Sequence, residues 1–491
     1  LVLNVRQAEA KMHLVMISRA QSLAVVLLIW AAIYLPALGS LSIKGEEGRR
    51  ILPAISMLET GNYLVPQVGG EAYFRKPPLI NWVVAASFKL LGQRNEWTAR
   101  LPSAVCVLAV AVAFVTVARK SLGPRGSTIA AVIWMTNAGI IEKGRLIEIE
   151  AIYVSLCTLA IIFWLSFWER QRSAWLVWIP ASIFLGLGWL AKGPVHLIFF
   201  YAIVAAVLWQ NKNWRPLFHP AHLAGILIML GIFAAWAIPF AHATGGAITA
   251  TKWTSQFTGR LRANDFRLSS WIWNIPRGLI YFLPWTILLP LARPGGFATE
   301  KSQRLARALA WAAGVPFVII NLMPGSLPRY AMPAIGPACW LLGMTLCADN
   351  VWWPRWLGGK PFSVKNRQRT VATIAILVCV CMGVYAVAIV PRVYRRQNVK
   401  KLATQIDVSV PRSEPLYALD PNYQPIFFYL RSKLVYTSEI VDLPKDAKYL
   451  LVRPEREQQV MESNRWAPRQ PHLISRFTDY RKESILLLKI D

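Results

Sequence analysis

Charge is scarce in this 491-residue chain: 16% of residues are charged, where a soluble globular domain carries about 25%. Acidic residues are scarcer still, with 25 Asp+Glu against 54 Lys+Arg and a formal net charge of +29. Cysteine is also thin, at 6 residues, which excludes a disulfide scaffold. Cys106, Cys157, Cys339, Cys347, Cys379 and Cys381 all fall in apolar stretches and read as small core residues, without disulfides. The 6 histidines are scattered, so neither they nor the cysteines show metal-ligand spacing. No internal repeat or low-complexity tract is present, which argues against solenoid, collagen-like and disordered chains.

What is abundant is apolar. Hydrophobic residues make up 55% of the chain, and its mean hydropathy is +0.39. Together with the low charge, this points to a multi-span helical membrane protein. The basic excess would suggest nucleic acid in a soluble protein, but cytoplasmic loops of membrane proteins accumulate Lys and Arg. No nucleic-acid partner is expected; membrane lipid is.

The first apolar stretch, Ser22 to Leu38, follows Arg6, Lys11 and Arg19, and no clean cleavage motif succeeds it. It reads as span one with the N-terminus inside. Further stretches lie at about 99–118, 127–141, 151–168, 175–191, 194–209, 221–240, 276–292, 305–322, 331–348 and 371–391. The expected total is about 11–13 membrane helices. Short basic loops follow alternate spans, around Arg119–Arg125, Arg170–Arg172, Lys212–Arg215, Arg293–Arg307 and Arg355–Arg369. They should be cytoplasmic. The other connections, led by 40–97 and 142–150, then lie outside. Leu79 to Leu91 is too short to cross and reads as an interfacial helix.

Two regions break the apolar pattern. The outer loops hold Glu46, Glu47, Arg49, Arg50, Glu59, Glu71, Arg75 and Lys76, then Glu142, Lys143, Arg145, Glu148 and Glu150. Ionisable groups at the bilayer boundary are functional candidates, although each alone is equally a solvated loop charge. After residue 391 charges become frequent and apolar runs shrink. Leu416–Leu419, Leu434–Tyr436 and Tyr449–Val452 read as strands, Arg476–Ile490 as a hairpin, and Pro425–Leu430 and Glu455–Ser463 as helices. The expected division is a membrane domain over 1–391, with a first outer loop at 40–97, and a soluble periplasmic α/β domain over 392–491.

The first loop carries recognisable text. Glu46-Glu47-Gly48-Arg49 is followed by Met57-Leu58-Glu59-Thr60-Gly61-Asn62-Tyr63-Leu64-Val65-Pro66, by Tyr73-Phe74-Arg75-Lys76-Pro77-Pro78-Leu79, and by Ala99-Arg100-Leu101-Pro102-Ser103. Supporting pieces are Gly144-Arg145-Leu146 before Glu150, Ala191-Lys192-Gly193-Pro194, Phe257-Thr258-Gly259-Arg260, and Leu327-Pro328-Arg329-Tyr330 before Pro333. This order resembles the bacterial members of the protein O-mannosyltransferase family, glycosyltransferase family 39, which includes the lipid A aminoarabinose transferases. The resemblance runs over about residues 20–350 and extends to the C-terminal domain. It implies a polytopic C-type glycosyltransferase fold, inverting transfer of a sugar from a polyprenyl-phosphate donor at the non-cytoplasmic face, and an inner-membrane location. The family's acidic positions fall on Glu46, Glu47 and Glu150. Two of these, Glu46 and Glu150, are Asp in the family and Glu here. Its phosphate-binding positions fall on Arg49, Lys76, Arg260 and Tyr330. It implies no cofactor, and no metal motif is evident.

The chemistry suits those residue types. Departure of a polyprenyl phosphate builds negative charge, which cations and hydroxyl donors stabilise. Arginine clamps phosphate in a bidentate way and lysine acts as a point charge. Arg49 could instead pair with Glu46 or Glu47. A carboxylate near the anomeric carbon can take a proton from an acceptor hydroxyl. Glu46 is preferred to Glu47 for this, with Glu150 orienting the acceptor or helping the base and Glu148 as its competitor. A phosphate acceptor would already be ionised and need no base. Lys143, Arg145, Lys192, Arg262 and Arg267 could bind an anionic acceptor or lipid head groups, but simple membrane-surface charge is the preferred reading of each, and His196 and His242 take no role. The acceptor is lipid A or another glycolipid, with protein Ser/Thr as the alternative. A transporter or flippase of lipid-linked sugars is the rival of another class, but it predicts paired repeats that are not found. A binding role remains open for the C-terminal domain alone.

Overall fold

The protein's structure, a computed structural model, describes residues 17–261, 266, 268–420 and 425–491; the side chains of 256–261 and 270 lie outside that description. Among the described residues, six helical segments are long and apolar enough to cross a membrane. They are Glu96–Thr116, Ile149–Glu169, Ala174–Ala191, Pro220–Thr244, Glu300–Leu322 and the segment Val364–Ser409, whose helix breaks at Gln397 and Asn398. Arg19–Tyr34 and His196–Gln210 are apolar but shorter. The protein is a multi-pass membrane protein.

Several expected spans are interrupted, and the sequence shows why. The stretch expected at 276–292 divides into a helix Asn274–Tyr281 and a 3-10 turn Trp285–Leu291, with Pro284 at the break and Pro290 inside the turn. Proline lacks the N–H that the helical ladder needs. The stretch expected at 331–348 begins with a 3-10 turn Pro328–Ala334 and continues as Ile335–Thr345. The basic loop expected at 119–125 is instead part of a helix, Arg119–Met135, broken at Gly123 just before Pro124.

The first outer loop is ordered. A 3-10 turn Gly45–Glu47 runs into a helix Gly48–Thr60, which ends where Gly61 takes the left-handed conformation. A small antiparallel hairpin follows, β1 Gln67–Val68 and β2 Glu71–Ala72. Next comes the Leu79–Leu91 helix, about 20 Å long at 1.5 Å per residue and so too short to cross. Ile80, Val84, Ala85 and Phe88 bury one face of it, while Leu90 and Leu91 stay exposed.

At the C-terminal end lies a five-stranded mixed sheet. Its strands are β3 Leu416–Leu419, β4 Leu434–Thr437, β5 Tyr449–Val452, β6 Pro471–Thr478 and β7 Ser484–Ile490, in the order β4-β3-β5-β7-β6. β3 is parallel to β4 and β5; β7 is antiparallel to β5 and β6. The sheet is covered on both faces. Leu450, Val452 and Leu488 pack with Leu443, Val460 and Trp466, and Leu416, Leu451 and Leu487 join the main core with Ile406 and Phe427. The helix Val399–Ser409 turns Val399, Leu402, Ala403 and Ile406 inward, the spacing of one helical face. Residue 391 falls within the helix Val390–Arg396, which continues the preceding membrane helix through a π turn at Tyr385–Ile389.

The sheet domain docks on the first outer loop. Lys400 Nζ lies 2.6 Å from Glu96, and Tyr429 donates to Glu96 at 2.9 Å while accepting from the Ile43 N–H at 2.8 Å. Ser438 donates to Glu71 at 2.7 Å, and the Tyr436 N–H to the Gly69 carbonyl at 2.8 Å. A Cβ on Gly69 would fall 2.2 Å from the Tyr436 ring, so only glycine permits this approach.

Candidate active site

A polar cavity of about 500 Å³ opens where six distant parts of the chain meet, one of them the helix Gly246–Leu261 with Lys252 and Ser255. The 3-10 turn and following helix of the first loop bring Glu46, Arg49 and Arg50. The segment after β2 brings Tyr73 and Lys76, and the second outer loop brings Glu148 and Glu150. Lys192 comes from the end of the Ala174–Ala191 helix, and Arg329 and Tyr330 from the late 3-10 turn.

Glu46 sits among cations. Its carboxylate accepts from Arg49 Nη1 at 2.7 Å, and Arg50 Nη2 lies 3.4 Å away. Arg50 is itself held in place: it donates to the Tyr73 hydroxyl at 2.8 Å, and its carbonyl accepts from Asn81 at 2.7 Å. The ion pair weighed for Arg49 therefore exists, and it lies on the cavity wall.

Glu150 occupies the first turn of the Ile149–Glu169 helix, where the helix dipole favours an anion. Lys192 caps the C-terminal end of its own helix, where a cation is favoured, and its Nζ lies 3.1 Å from Glu150. Arg329 Nε reaches the same carboxylate oxygen at 3.3 Å. The Lys192 ammonium also stands 4.4 Å from the centre of the Tyr330 ring and 5.1 Å from that of Tyr153, within cation–π range. Glu148 is tied to Lys143 at 3.2 Å. Burial raises its carboxyl above the ordinary value, the Lys143 charge opposes that, and the Glu150 charge adds to it.

A second, apolar cavity of about 280 Å³ adjoins the first. Phe74, Trp189, Phe233, Trp253, Ile320 and Met323 line it, while Lys76, Lys192 and Tyr330 face both cavities. Cations and a phenol thus stand at the junction between a polar chamber and an apolar one.

Of the residues singled out in the sequence, Glu46, Glu150, Arg49, Lys76 and Tyr330 line the polar cavity together. Glu47 does not. It is 1% exposed and grips Arg100 with both oxygens, at 2.8 and 2.9 Å. Its oxygens also accept from the backbone N–H groups of Lys44 and Ile147, each at 3.1 Å. Arg100 donates further to the carbonyls of Leu38, Leu41 and Ser42. This is a satisfied structural pair joining both outer loops, and it leaves Glu47 no free access to a substrate. Arg260 lies in the helix Gly246–Leu261 with its side chain outside the described residues, and Arg262 and Arg267 are likewise outside them.

Lys192 is no mere surface charge, because the cavity encloses it with Glu150. Lys143 is buried beside Glu142 and Glu148. Arg145 belongs to a different, mostly apolar cavity of about 530 Å³ and donates to the carbonyls of Ile33 and Pro36. Tyr73 and Arg329 were missed as site residues, Arg50 stood only among the loop charges, and Lys192 was read as surface charge. For Lys192 and Arg329 a signal existed, since Ala-Lys-Gly-Pro and Leu-Pro-Arg-Tyr both carry the resemblance. His196 is buried between the carbonyls of Gly193 and Leu185, so it is a core residue. Among the described residues, no three His, Cys, Asp or Glu side chains are grouped to hold a metal.

Residues 75–238 match the family model of the dolichyl-phosphate-mannose-protein mannosyltransferases. The undecaprenyl phosphate-alpha-4-amino-4-deoxy-L-arabinose arabinosyl transferase of Edwardsiella ictaluri is 27% identical over 328 residues, 65% of this chain and 58% of that protein. The same transferase from Pseudomonas aeruginosa (strain UCBPP-PA14) is 26% identical over 338 residues, 67% of this chain and 60% of that one. The chain is thus similar, over part of its length, to members of glycosyltransferase family 39. It spans about three-fifths of the length of those curated relatives.

The fold comparison agrees. The crystal structure of ArnT from Cupriavidus metallidurans in the apo state superposes with a TM-score of 0.71 at 17% identity, covering 96% of this chain and 97% of that one. The structure of the same protein bound to undecaprenyl phosphate gives 0.70 at 18% identity, with the same coverage. The chain therefore has the C-type glycosyltransferase fold with a small C-terminal sheet domain.

Proposed function

We propose that this protein is a membrane glycosyltransferase that moves a sugar from a polyprenyl-phosphate donor to a lipid A or related glycolipid acceptor. One observation carries the reading: Lys76, Lys192 and Tyr330 stand where a polar cavity with three carboxylates opens into an apolar one. A polyprenyl phosphate has that shape, with an apolar tail, an anionic head and a sugar beyond. The likeness to transferases named for undecaprenyl phosphate-aminoarabinose, and to a structure bound to undecaprenyl phosphate, supports the same donor class.

The chemistry follows from the wall of the cavity. The acceptor oxygen bonds to the anomeric carbon as the bond between that carbon and the phosphate oxygen breaks. The bonding pair leaves on the phosphate, where Lys76, Lys192 and the Tyr330 hydroxyl stabilise the charge. Glu46 takes the proton of an acceptor hydroxyl and balances oxocarbenium charge. Attack from the face opposite the phosphate inverts the anomeric centre. Glu150, held by Lys192 and Arg329, links the acid side of the cavity to the phosphate side. Arg49 orients Glu46 and faces the phosphate. The basic loops support a cytoplasmic face opposite this site, so the site and the sheet domain face the periplasm from the inner membrane.

The test is reconstitution in lipid nanodiscs with undecaprenyl-phosphate aminoarabinose and purified lipid A, read by mass spectrometry. The expected product is lipid A heavier by one aminoarabinose. Transfer to a Ser/Thr peptide with none to lipid A would replace the acceptor with protein. Transfer to neither would overturn the reading.

A further inference from the structure

A third cavity, of about 690 Å³, lies on the other side of Glu46 and Arg49. The first loop contributes Gly45, Glu46 and Arg49 to it; the sheet domain contributes Arg453, Arg481 and Lys482, along with Glu455 and Glu483. Glu46 and Arg49 also line the central polar cavity, so this ion pair is the wall that the two chambers share. The three cavities run in series. The apolar one meets the central one at Lys76, Lys192 and Tyr330, and the central one meets the third at Glu46 and Arg49.

We infer that the third cavity is the acceptor's headgroup site, and that it takes a phosphorylated saccharide between the first loop and the C-terminal sheet domain. The inference rests on the proposed transfer and says where its second substrate sits. A two-substrate transferase needs a place for each substrate at the reacting carboxylate; the donor takes the apolar and central cavities, and the third is left for the acceptor headgroup.

The chemistry of the wall selects the ligand class. Arg481 and Lys482 sit at the turn between β6 and β7, which Asp479 staples: its side chain accepts from the N–H groups of Arg481 at 2.8 Å and Glu483 at 2.9 Å. Lys482 adopts the left-handed backbone conformation, with φ of 66°, and forms no ion pair among the described residues. Arg481 is 3.9 Å from Glu483, a loose pair that a phosphate can displace. Its guanidinium reaches over the first loop, with Nη1 3.6 Å from where a Cβ on Gly45 would stand. Gly45 immediately precedes Glu46, so the C-terminal domain sets a cation beside the proposed base. Arg453 is anchored by an ion pair with Asp420. The cations suit phosphate, and Glu455 and Glu483 can accept from sugar hydroxyls. That mixture fits a phosphorylated sugar better than a peptide side chain.

The experiment measures initial transfer rates in nanodiscs at saturating donor while lipid A concentration is varied. The variant Arg481→Ala/Lys482→Ala should raise the acceptor KM at least tenfold and leave donor-lipid binding and the thermal midpoint unchanged. The charge-conserving Arg481→Lys/Lys482→Arg should restore most of the affinity. With dephosphorylated lipid A, the gap between wild type and the alanine variant should close. Should the double variant be unstable, the single reversal Lys482→Glu at the exposed turn carries the same expectation. An unchanged acceptor KM in a folded, donor-binding variant overturns the inference. Failure of the transfer itself in the wild type would strike the proposed function instead. In that case glucose 1-phosphate binding is read against glucose. A preference for the phosphate that is lost in Arg481→Ala/Lys482→Ala supports the cavity assignment, and equal binding rejects it.

Discussion

Glu46 and Glu47 are consecutive residues with separate fates: Glu46 pairs with Arg49 at 2.7 Å on the cavity wall, while Glu47 is sealed against Arg100 at 2.8 Å. They lie on a 3-10 turn, where successive side chains point about 120° apart. One carboxylate therefore faces the chambers and the next faces the protein. The turn's own geometry divides a catalytic candidate from a structural one.

This division predicts opposite behaviour for two similar substitutions. Glu46→Gln should keep the thermal midpoint of the wild type and abolish transfer. Glu47→Gln leaves Arg100 buried without its counter-charge, and loss of one partner of a buried pair costs about 3–5 kcal/mol. Thermal unfolding in detergent should show the loss in Glu47→Gln alone. Equal stability of the two variants would reject the structural role of Glu47.

Lys76 and Tyr330 come from distant parts of the chain and face the same cavity junction. Lys76→Ala should weaken polyprenyl-phosphate binding by about 1.5–3 kcal/mol, the range for a hydrogen bond to a charged group. Tyr330→Phe should cost less than Lys76→Ala, because it removes a hydrogen bond to the phosphate without removing a charge. Two groups on one phosphate couple, so the double variant should lose measurably less or more than the sum. Additive losses in a lipid-binding assay would place them on separate ligands.

Glu148 should make stability depend on pH. Its folded carboxyl titrates above its ordinary 4.5, chiefly through burial. The folded state then holds the proton more tightly than the unfolded chain. That contribution is complete below the unfolded value and is lost as pH rises through the folded one. Glu148→Gln has no such loss, so its thermal midpoint should gain on the wild type as pH is raised from 4 to 7 (an interval chosen to span roughly the ordinary carboxyl range upward). A variant midpoint that falls relative to the wild type over that interval would contradict the assignment.

Orientation can be read by labelling, in a background with the native cysteines replaced. Val441 is 71% exposed in the sheet domain, and Trp356 is 72% exposed in the basic 349–363 connection. Val441→Cys should react with an impermeant reagent in intact spheroplasts, and Trp356→Cys only after permeabilisation. The reverse pattern would invert the topology, and labelling of both from outside would change the span count by an odd number.

Much of this protein is decided locally, and the chain alone shows it. Long apolar stretches have one stable solution in a bilayer, so the helical membrane class and most spans follow from hydropathy. The strands of the C-terminal sheet are bounded by charges and turn residues, so Leu416–Leu419, Tyr449–Val452 and the final hairpin are legible too. The first-loop motif announces Glu46, Arg49 and Lys76 because they are close in sequence. Tertiary structure decided the rest. Glu150, Lys192 and Arg329 meet only because the helices that carry them pack together, and sequence separation hides such a triad. Glu47 looks equivalent to Glu46 until Arg100, 53 residues away, reaches it. The cavity that joins Gly45 to Arg481 exists only once the last hairpin is folded back over the first loop, because Coulombic and steric complementarity act through space and not along the chain.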